Sequence, residues 1–103
     1  MAKRSPTALT LQYLHNLGYI CAVVEKRLPI PGKYVTQDIW GFADLLVAKP
    51  GNPITLVQTT SRANMSARRK KIEANVYAPI WKRAGGRIWL ICWGNSGISV
   101  EEL

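Results

Sequence analysis

The sequence predicts a single α/β domain in which helices flank a small mixed β-sheet, in the order helix, strand, strand, strand, helix, strand. Runs rich in apolar and β-branched residues occur at residues 19–27, 35–47, 54–60 and 87–93. Helical segments precede the first run and separate the last two, and the second helical segment implies a right-handed crossover. A chain of 103 residues, 48% of them hydrophobic, is expected to form one domain, residues 1–103, around one core.

The first helix is expected to follow a short basic arm at the N-terminus. Ser5 is of a residue type that caps helices, and Pro6 suits the first helical position, where the missing backbone N–H is not needed. Leucines at helical spacing follow, and Gly18 is expected to end the helix.

The first predicted strand, residues 19–27, carries Glu25 at the end of a face that is otherwise apolar. Two interpretations stay open. Either Glu25 reaches solvent where the strand ends, or its carboxylate points toward a functional site. Residues 28–34 contain two prolines and a glycine, which predict a turn.

The second and third predicted strands, residues 35–47 and 54–60, are joined by a tight turn with the sequence KPGNP. Gly41 lies within the second strand, where a glycine indicates a bulge or a close approach of the backbone. Because the connection is so short, we expect these two strands to pair with each other.

The helix after the third strand has Ser61 or Asn64 as its candidate cap. Pro79 is expected to kink the helix or restart it near Ala78. Two glycines end it, and residues 87–93 are apolar on both faces, which is typical of a strand covered on both sides. The polar tail that follows is a candidate edge strand.

Three polar side chains interrupt the two neighbouring apolar strands. Gln58 and Thr60 are two residues apart and therefore share one face of the third strand, together with Ile54 and Leu56. Asp44 belongs to the neighbouring strand. Pairing of the two strands would bring a carboxylate, an amide and a hydroxyl together.

The formal net charge is +8, and the surplus is local. Eight basic residues and one acid, Glu73, lie between Arg62 and Arg87. Such a cluster indicates binding of a polyanion, although a solvated helix face is the simpler alternative. The candidate nucleic-acid-binding residues are Arg62, Asn64, Arg68, Arg69, Lys70 and Lys71. At ~100° per residue, four consecutive cations fan around a helix, so at least one should face the strands.

Acidic and amide groups beside cations are typical of phosphodiester hydrolysis with Mg²⁺ or Mn²⁺. Magnesium prefers oxygen ligands from one or two carboxylates plus waters. Asp44 is the first candidate ligand, the side-chain oxygen of Gln58 the second, and the backbone carbonyl of Thr59 the third. Glu25 or Asp38 would add a second carboxylate.

The segments GFADLLV, LVQTT and AGGRIWLICW, with a basic helix between the last two, resemble the PD-(D/E)XK nuclease superfamily. The resemblance covers residues 19–93 and is to the compact phage and archaeal branch that includes Holliday junction resolvase-like proteins. It implies a restriction endonuclease-like core and a metal-dependent DNA endonuclease, with branched or flap DNA as candidate substrates. The positions that correspond to the family's acidic residue, aspartate, glutamate and lysine are Glu25 (less surely Asp38), Asp44, Gln58 and Thr60.

Thr60 departs from this pattern because a threonine carries no charge with which to stabilise the reacting phosphate. Lys70 or Lys71 of the next helix would replace the lysine if it faces the sheet, and Lys71 is the candidate catalytic residue. Gln58 also lacks the charge of a glutamate, which lowers metal affinity. The alternative is therefore a non-catalytic nucleic-acid-binding module on a degenerate nuclease fold.

The remaining expectations concern partners and compartment. Four tryptophans are more than so small a core needs, and some are expected at a homodimer interface, which would suit a substrate with two strands. Cys21 and Cys92 lie in apolar runs, as expected for free thiols in a reducing compartment. The sequence contains no signal peptide or membrane span, and a cytoplasmic protein is expected.

Overall fold

The computed structural model describes residues 5–103, and within the strands Lys26–Ile30 and Lys33–Gln37 it describes the backbone only. The predicted fold class is confirmed: a five-stranded mixed sheet carries helices on its faces. The strands of this sheet are β1 (Ile20–Val23), β4 (Leu45–Ala48), β5 (Thr55–Ser61), β6 (Arg87–Gly94) and β7 (Gly97–Glu102), in that spatial order.

The strand directions explain the connections. β4 pairs antiparallel with both β1 and β5, whereas β5 and β6 are parallel. Parallel neighbours need a crossover, and the helices between β5 and β6 provide it. β7 pairs antiparallel with β6 and forms the far edge, as predicted for the polar tail.

Three α-helices cover the sheet: α1 (Pro6–Asn16), α2 (Met65–Glu73) and α3 (Ala78–Arg83). The predicted cap of α1 is confirmed, because the Ser5 hydroxyl accepts a hydrogen bond of 3.1 Å from the backbone N–H of Ala8. Gly18, at φ +92°, follows the end of α1 as expected. By contrast, neither Ser61 nor Asn64 caps its helix with a side-chain hydrogen bond.

Two apolar clusters lie on opposite faces of the sheet. Leu56 and Leu90 face α2 and α3, where they pack with Phe42, Ile72 and other buried residues. Val57 and Ile91 face α1 and pack with a second set of buried residues that includes Leu14. Consecutive residues of β5 thus point to opposite layers, and the predicted shared face of Leu56, Gln58 and Thr60 follows from the same alternation.

The turn predicted at residues 28–34 is confirmed only at residues 31–32. The residues on either side belong to a hairpin of β2 (Lys26–Ile30) and β3 (Lys33–Gln37), which forms a separate two-stranded sheet. Each strand of a two-stranded sheet has a free edge, and an edge strand tolerates a proline such as Pro29.

The long second strand predicted at residues 35–47 is likewise divided. After β3 the chain makes a turn closed by a bridge between Ile39 and Ala43, with Gly41 at φ +82° inside it, and β4 starts only at Leu45. Asp44 therefore lies directly before β4. The first predicted strand also ends early: β1 is an edge strand, and Val23 is 55% exposed, so the face that leads to Glu25 is only half-buried.

The helix predicted between β5 and β6 is broken in two. A restart at Ala78 is confirmed, but residues 74–77 separate α2 from α3. The side chain of Asn75 stabilises the restart because its Oδ1 accepts hydrogen bonds from the backbone N–H groups of Tyr77 (2.8 Å) and Ala78 (3.2 Å).

A buried polar contact ties α1 to the end of β5. The indole Nε1 of Trp93 donates to Thr10 Oγ1 (2.8 Å), and the hydroxyls of Thr10 and Thr59 lie 2.8 Å apart. Thr10 is fully buried, so both of its hydrogen bonds are made away from water. This contact holds the strand end that carries Gln58 and Thr59.

Within residues 5–103, no helix is both long and apolar enough to cross a membrane. Both cysteines are free, as predicted.

Thr10→Val should lower the free energy of unfolding by about 1–3 kcal/mol, because the isosteric change leaves the Trp93 N–H and the Thr59 hydroxyl without their partner. Urea denaturation monitored by circular dichroism measures the loss. Gln12→Val, at an exposed position of the same helix, is the control and should change the stability by no more than about 0.5 kcal/mol. Equal effects of the two substitutions would contradict a stabilising role of the contact.

Candidate functional site

A cavity of about 500 Å³ lies where β5 ends and the chain enters β4, beside α2. It contains most of the polar residues that the sequence singled out. The residues that line it are Thr7, Glu25, Asp38, Gly41, Asp44, Gln58, Thr59, Arg68 and Lys71.

Asp44 is positioned by the pairing of the strands. Its backbone N–H donates to the carbonyl of Val57 (2.9 Å), and its carbonyl accepts from the N–H of Val24 (2.9 Å). Its carboxylate Oδ2 accepts two more hydrogen bonds, from Gln58 Nε2 (2.8 Å) and from the backbone N–H of Thr59 (3.0 Å). Asp44 is therefore held at both its backbone and its side chain while its residue surface is only 7% exposed.

Gln58 is buried, and its side chain is only half satisfied. Nε2 donates to Asp44, whereas Oε1 has no hydrogen-bond partner among the described residues. Exchanging the two atoms would place Oε1 against the carboxylate of Asp44, so the charge on Asp44 fixes the orientation of the amide. A buried acceptor without a partner costs about 1–3 kcal/mol, and a cation or a proton donor at this position would remove that cost.

The cavity has acidic and basic walls. Glu25 and Asp38 add two carboxylates to Asp44, and α2 contributes Arg68 and Lys71. Arg68 and Lys71 are three residues apart and thus lie on one face of the helix. An acidic pocket beside two cations suits a ligand that carries both a metal ion and a phosphate.

Burial raises the pKa of Asp44 from 3.8 to about 6. The hydrogen bond from the backbone of Thr59 opposes this shift, the negative charges of Glu25 and Asp38 add to it, and the charge of Arg68 opposes it. A cation bound beside Asp44 would stabilise its carboxylate and offset this desolvation cost.

Oxygen donors of the kind that magnesium binds lie in and around the cavity. Asp44 supplies a carboxylate, Gln58 supplies an unpartnered buried oxygen, and Glu25 and Asp38 lie in the same cavity. Across the part of the chain that the structure describes, no three His, Cys, Asp or Glu side chains form a ready group of metal ligands. A site with one or two carboxylates, one amide oxygen and several waters matches the coordination that Mg²⁺ prefers.

The structure brings together Asp44, Gln58, Thr59 and Glu25, the four predicted metal ligands, and adds Asp38. It also brings Lys71 to the cavity but not Lys70, although both side chains are exposed. Lys71 is thus the lysine of α2 that borders the cavity.

Thr60 is not among the residues that line the cavity, although it is 7% exposed and lies two residues beyond Gln58 on the same face. The position expected to carry the family's lysine is thus outside the site, and a hydroxyl there has no direct access to a ligand in the cavity.

The other predicted nucleic-acid-binding residues lie outside the cavity. Arg69 forms a bidentate ion pair with Glu101 on β7, with Nη2 2.6 Å from Oε2 and Nε 2.7 Å from Oε1. Arg62 and Asn64 are exposed in a 3₁₀ turn (Arg62–Asn64) before α2. The charge of Arg69 is therefore partly neutralised within the protein.

Sequence reasoning missed Thr7, which reaches the cavity from the first turn of α1. No local signal marks it, because threonine is an ordinary residue at the start of a helix. Gly41, predicted to mark a bulge or a close backbone approach within a strand, lines the cavity from a turn instead. Its φ of +82° favours glycine, whereas a Cβ there would meet only Asn75 Nδ2, at 3.9 Å.

Comparisons of the chain with protein-family models, curated proteins and solved structures find no match. The chemistry of the cavity must therefore be inferred from its own groups, which are a buried carboxylate, an unpartnered amide oxygen and two cations.

Raising the pH from about 4 to about 6 should lower the free energy of unfolding of the metal-free protein, because Asp44 loses its proton in this range. Its pKa is about 6 in the native state and 3.8 as a free group, so in this range the native state binds more protons than the unfolded state. The contribution of Asp44 to the free energy of unfolding thus falls as the pH rises, by about 3 kcal/mol in all, and is constant above the native pKa.

Urea unfolding in the presence of a chelator, at several pH values, measures this decline. Asp44→Asn should remove it, because an amide does not titrate in this range. Glu73→Gln, at an exposed acid outside the cavity, is the control and should keep the decline. A pH profile of Asp44→Asn that parallels the unsubstituted protein would show that Asp44 is not the group responsible.

Proposed function

We propose that the protein is a metal-dependent endonuclease that hydrolyses phosphodiester bonds in DNA. The observation that carries this proposal is the pairing of Asp44 with Gln58, a buried residue with an unpartnered oxygen, in one cavity with Arg68 and Lys71. Carboxylate and amide oxygens suit a metal ion, and the two cations suit the phosphate that the metal would contact.

Asp44 and Gln58 would hold Mg²⁺ or Mn²⁺, with the backbone carbonyl of Thr59 and the carboxylate of Glu25 or Asp38 as further oxygen ligands. When bound, such an ion neutralises charge on the phosphate and lowers the pKa of a coordinated water. The resemblance to PD-(D/E)XK nucleases supports the same use of Asp44 and Gln58.

The residues of the chain have separate tasks in this proposal. Lys71 donates to a non-bridging phosphate oxygen and stabilises the charge that develops there, the role that the resemblance would give to position 60. Arg68 binds the phosphate through its planar fork of donors and orients it. Whichever of Glu25 and Asp38 does not bind the metal can accept a proton from the attacking water.

DNA as the substrate is supported by the charge of the whole chain. The formal net charge is +8. Ion pairs with Glu101 and Glu102 neutralise Arg69 and Arg87, which are only two of the eight basic residues in the cluster. Lys70 remains exposed beside Lys71 on α2 and can contact a phosphate next to the cleaved bond.

A non-catalytic nucleic-acid-binding module is the second candidate. It is favoured by the uncharged Gln58 and by the lack of a ready group of three acidic, His or Cys ligands among the described residues. In that case a proton donor of the ligand would satisfy the Gln58 oxygen, and Arg68 and Lys71 would bind the phosphate without hydrolysis. Homodimer formation also stays a prediction, with light scattering as its measurement.

Asp44→Asn should abolish cleavage of branched, flap and linear DNA in the presence of Mg²⁺ or Mn²⁺, because the amide carries no charge to hold the metal. Binding of DNA without metal should be kept or slightly strengthened, since a negative charge is removed. Gel analysis of cleavage and fluorescence anisotropy of binding measure the two effects. If the unsubstituted protein binds all three DNAs but cleaves none of them with either metal, the second candidate replaces the first.

Lys71→Ala should reduce the rate of metal-dependent cleavage by about 10²- to 10³-fold, the usual effect of losing one donor to a developing negative charge. Lys70→Ala is the matched control, because Lys70 is the neighbouring lysine but does not line the cavity, and its rate should fall by less than about tenfold. Single-turnover kinetics at saturating protein separates cleavage from binding. Equal losses in rate would mean that both lysines serve only to bind DNA.

A further inference from the structure

Two aromatic rings are exposed near the chain segment, residues 38–41, that contributes to the cavity wall. Trp40 and Tyr77 are stacked, with ring centroids 6.2 Å apart and an angle of 28° between their planes. They are 46% and 48% exposed, respectively, although aromatic rings of this size are normally covered. Trp81 lies 5.8 Å from Trp40 and supports it. We call the pair Trp40 and Tyr77 the aromatic platform.

The backbone of Trp40 is held in an unfavourable conformation. Its φ of +53° is the only positive value at a residue other than glycine in the described part of the chain. A bulky side chain at such a φ is rare and costs of the order of 1 kcal/mol. Strain of this kind is often kept where a side chain serves a function.

Asn75 holds both halves of the platform. Its Nδ2 donates to the carbonyl of Trp40 (2.8 Å), and its Oδ1 accepts from the backbone N–H of Tyr77 (2.8 Å). One side chain thus bridges two segments that are far apart in the chain. The rings are held in place without being buried, which is the arrangement of a contact surface.

The platform adjoins the cavity through the chain itself. Gly41, the residue after Trp40, lines the cavity, and so does Asp38, two residues before Trp40. A ligand that extends from the cavity along residues 38–41 would meet the exposed aromatic surface. A nucleotide unit combines these two features, a phosphate and a flat aromatic base.

We propose that the aromatic platform stacks an unpaired nucleobase of the nucleic acid whose phosphate occupies the cavity. In a duplex, neighbouring base pairs cover both faces of a base, so only an unpaired base offers a free face to a ring. The inference rests on the proposed function and specifies its substrate class, which is DNA with a single-stranded part, such as a flap or the open arm of a branch.

The test compares binding of a fluorescent single-stranded oligonucleotide with binding of a duplex of the same length, in a chelator so that cleavage cannot interfere. Trp40→Asn removes the ring and suits the left-handed backbone, so the fold should be kept. It should weaken binding of the single strand by about 5- to 150-fold and binding of the duplex by less than about twofold. Trp40→Phe keeps a ring and should recover most of the affinity.

Two further measurements separate stacking from other effects. The dependence of binding on salt should be the same for Trp40→Asn and the unsubstituted protein, because a ring neutralises no phosphate. Val76→Asn is the matched control: Val76 is 71% exposed and precedes Tyr77, but it offers no ring, and binding of both DNAs should be unchanged. Tyr77→Ala should repeat the selective loss and serves as the second variant if Trp40→Asn does not fold.

The platform hypothesis is overturned if Trp40→Asn and Tyr77→Ala leave single-strand binding unchanged or weaken both DNAs equally. It is also overturned if Val76→Asn weakens single-strand binding as much as Trp40→Asn does. The same holds if loss of the ring converts a dimer to a monomer without changing the preference for single strands, since that result indicates a protein interface. Cleavage with Mg²⁺ that persists in these cases leaves the proposed function standing. Conversely, if single-strand binding is selectively lost but the protein never cleaves DNA, the aromatic platform is supported and the proposed nuclease function is rejected.

Discussion

The hydrogen bonds that Asp44 receives from Gln58 and Thr59 are the constraint on which the candidate site depends. They exist because β4 and β5 pair antiparallel, with Leu45 opposite Val57, so that the residue before β4 meets the residues after Val57. The parallel pairing of β5 with β6 then fixes the strand from its other edge. Because a shift of one residue would turn Gln58 to the opposite face, the register of one strand pair decides whether the acid and the amide meet.

The cavity holds two groups in unfavourable surroundings. Burial and two neighbouring acids raise the pKa of Asp44 to about 6, and the buried Gln58 oxygen has no partner among the described residues. These are costs to stability, and Arg68 offsets them only in part. A metal ion would remove both, and a phosphate would engage the cations of α2. Both unfavourable features are of the kind that the proposed ligand, with its complementary charge, would relieve.

Much of the fold could be predicted, and the errors have physical causes. Apolar runs and their order located four strands of the main sheet, and the alternation of side chains placed Gln58 and Leu56 on one face. The hairpin of β2 and β3 was read as a turn, because its prolines and glycine oppose strand structure except at an edge. The break between α2 and α3 was underestimated, since it depends on hydrogen bonds of Asn75 that composition does not reveal.

The sequence by itself determined the fold class, the basic cluster and the polar identities of Asp44 and Gln58, because these depend on local pattern and residue type. Only the tertiary structure decided which cations serve the cavity. The packing of α2 on the sheet places Arg68 and Lys71 at the cavity, while Glu101, 32 residues further along the chain, pairs with Arg69. The stacking of Trp40 on Tyr77 is likewise a contact between distant segments that only the tertiary structure decided. Contacts between distant segments arise from how helices dock on a sheet, and no local signal in the sequence encodes that docking.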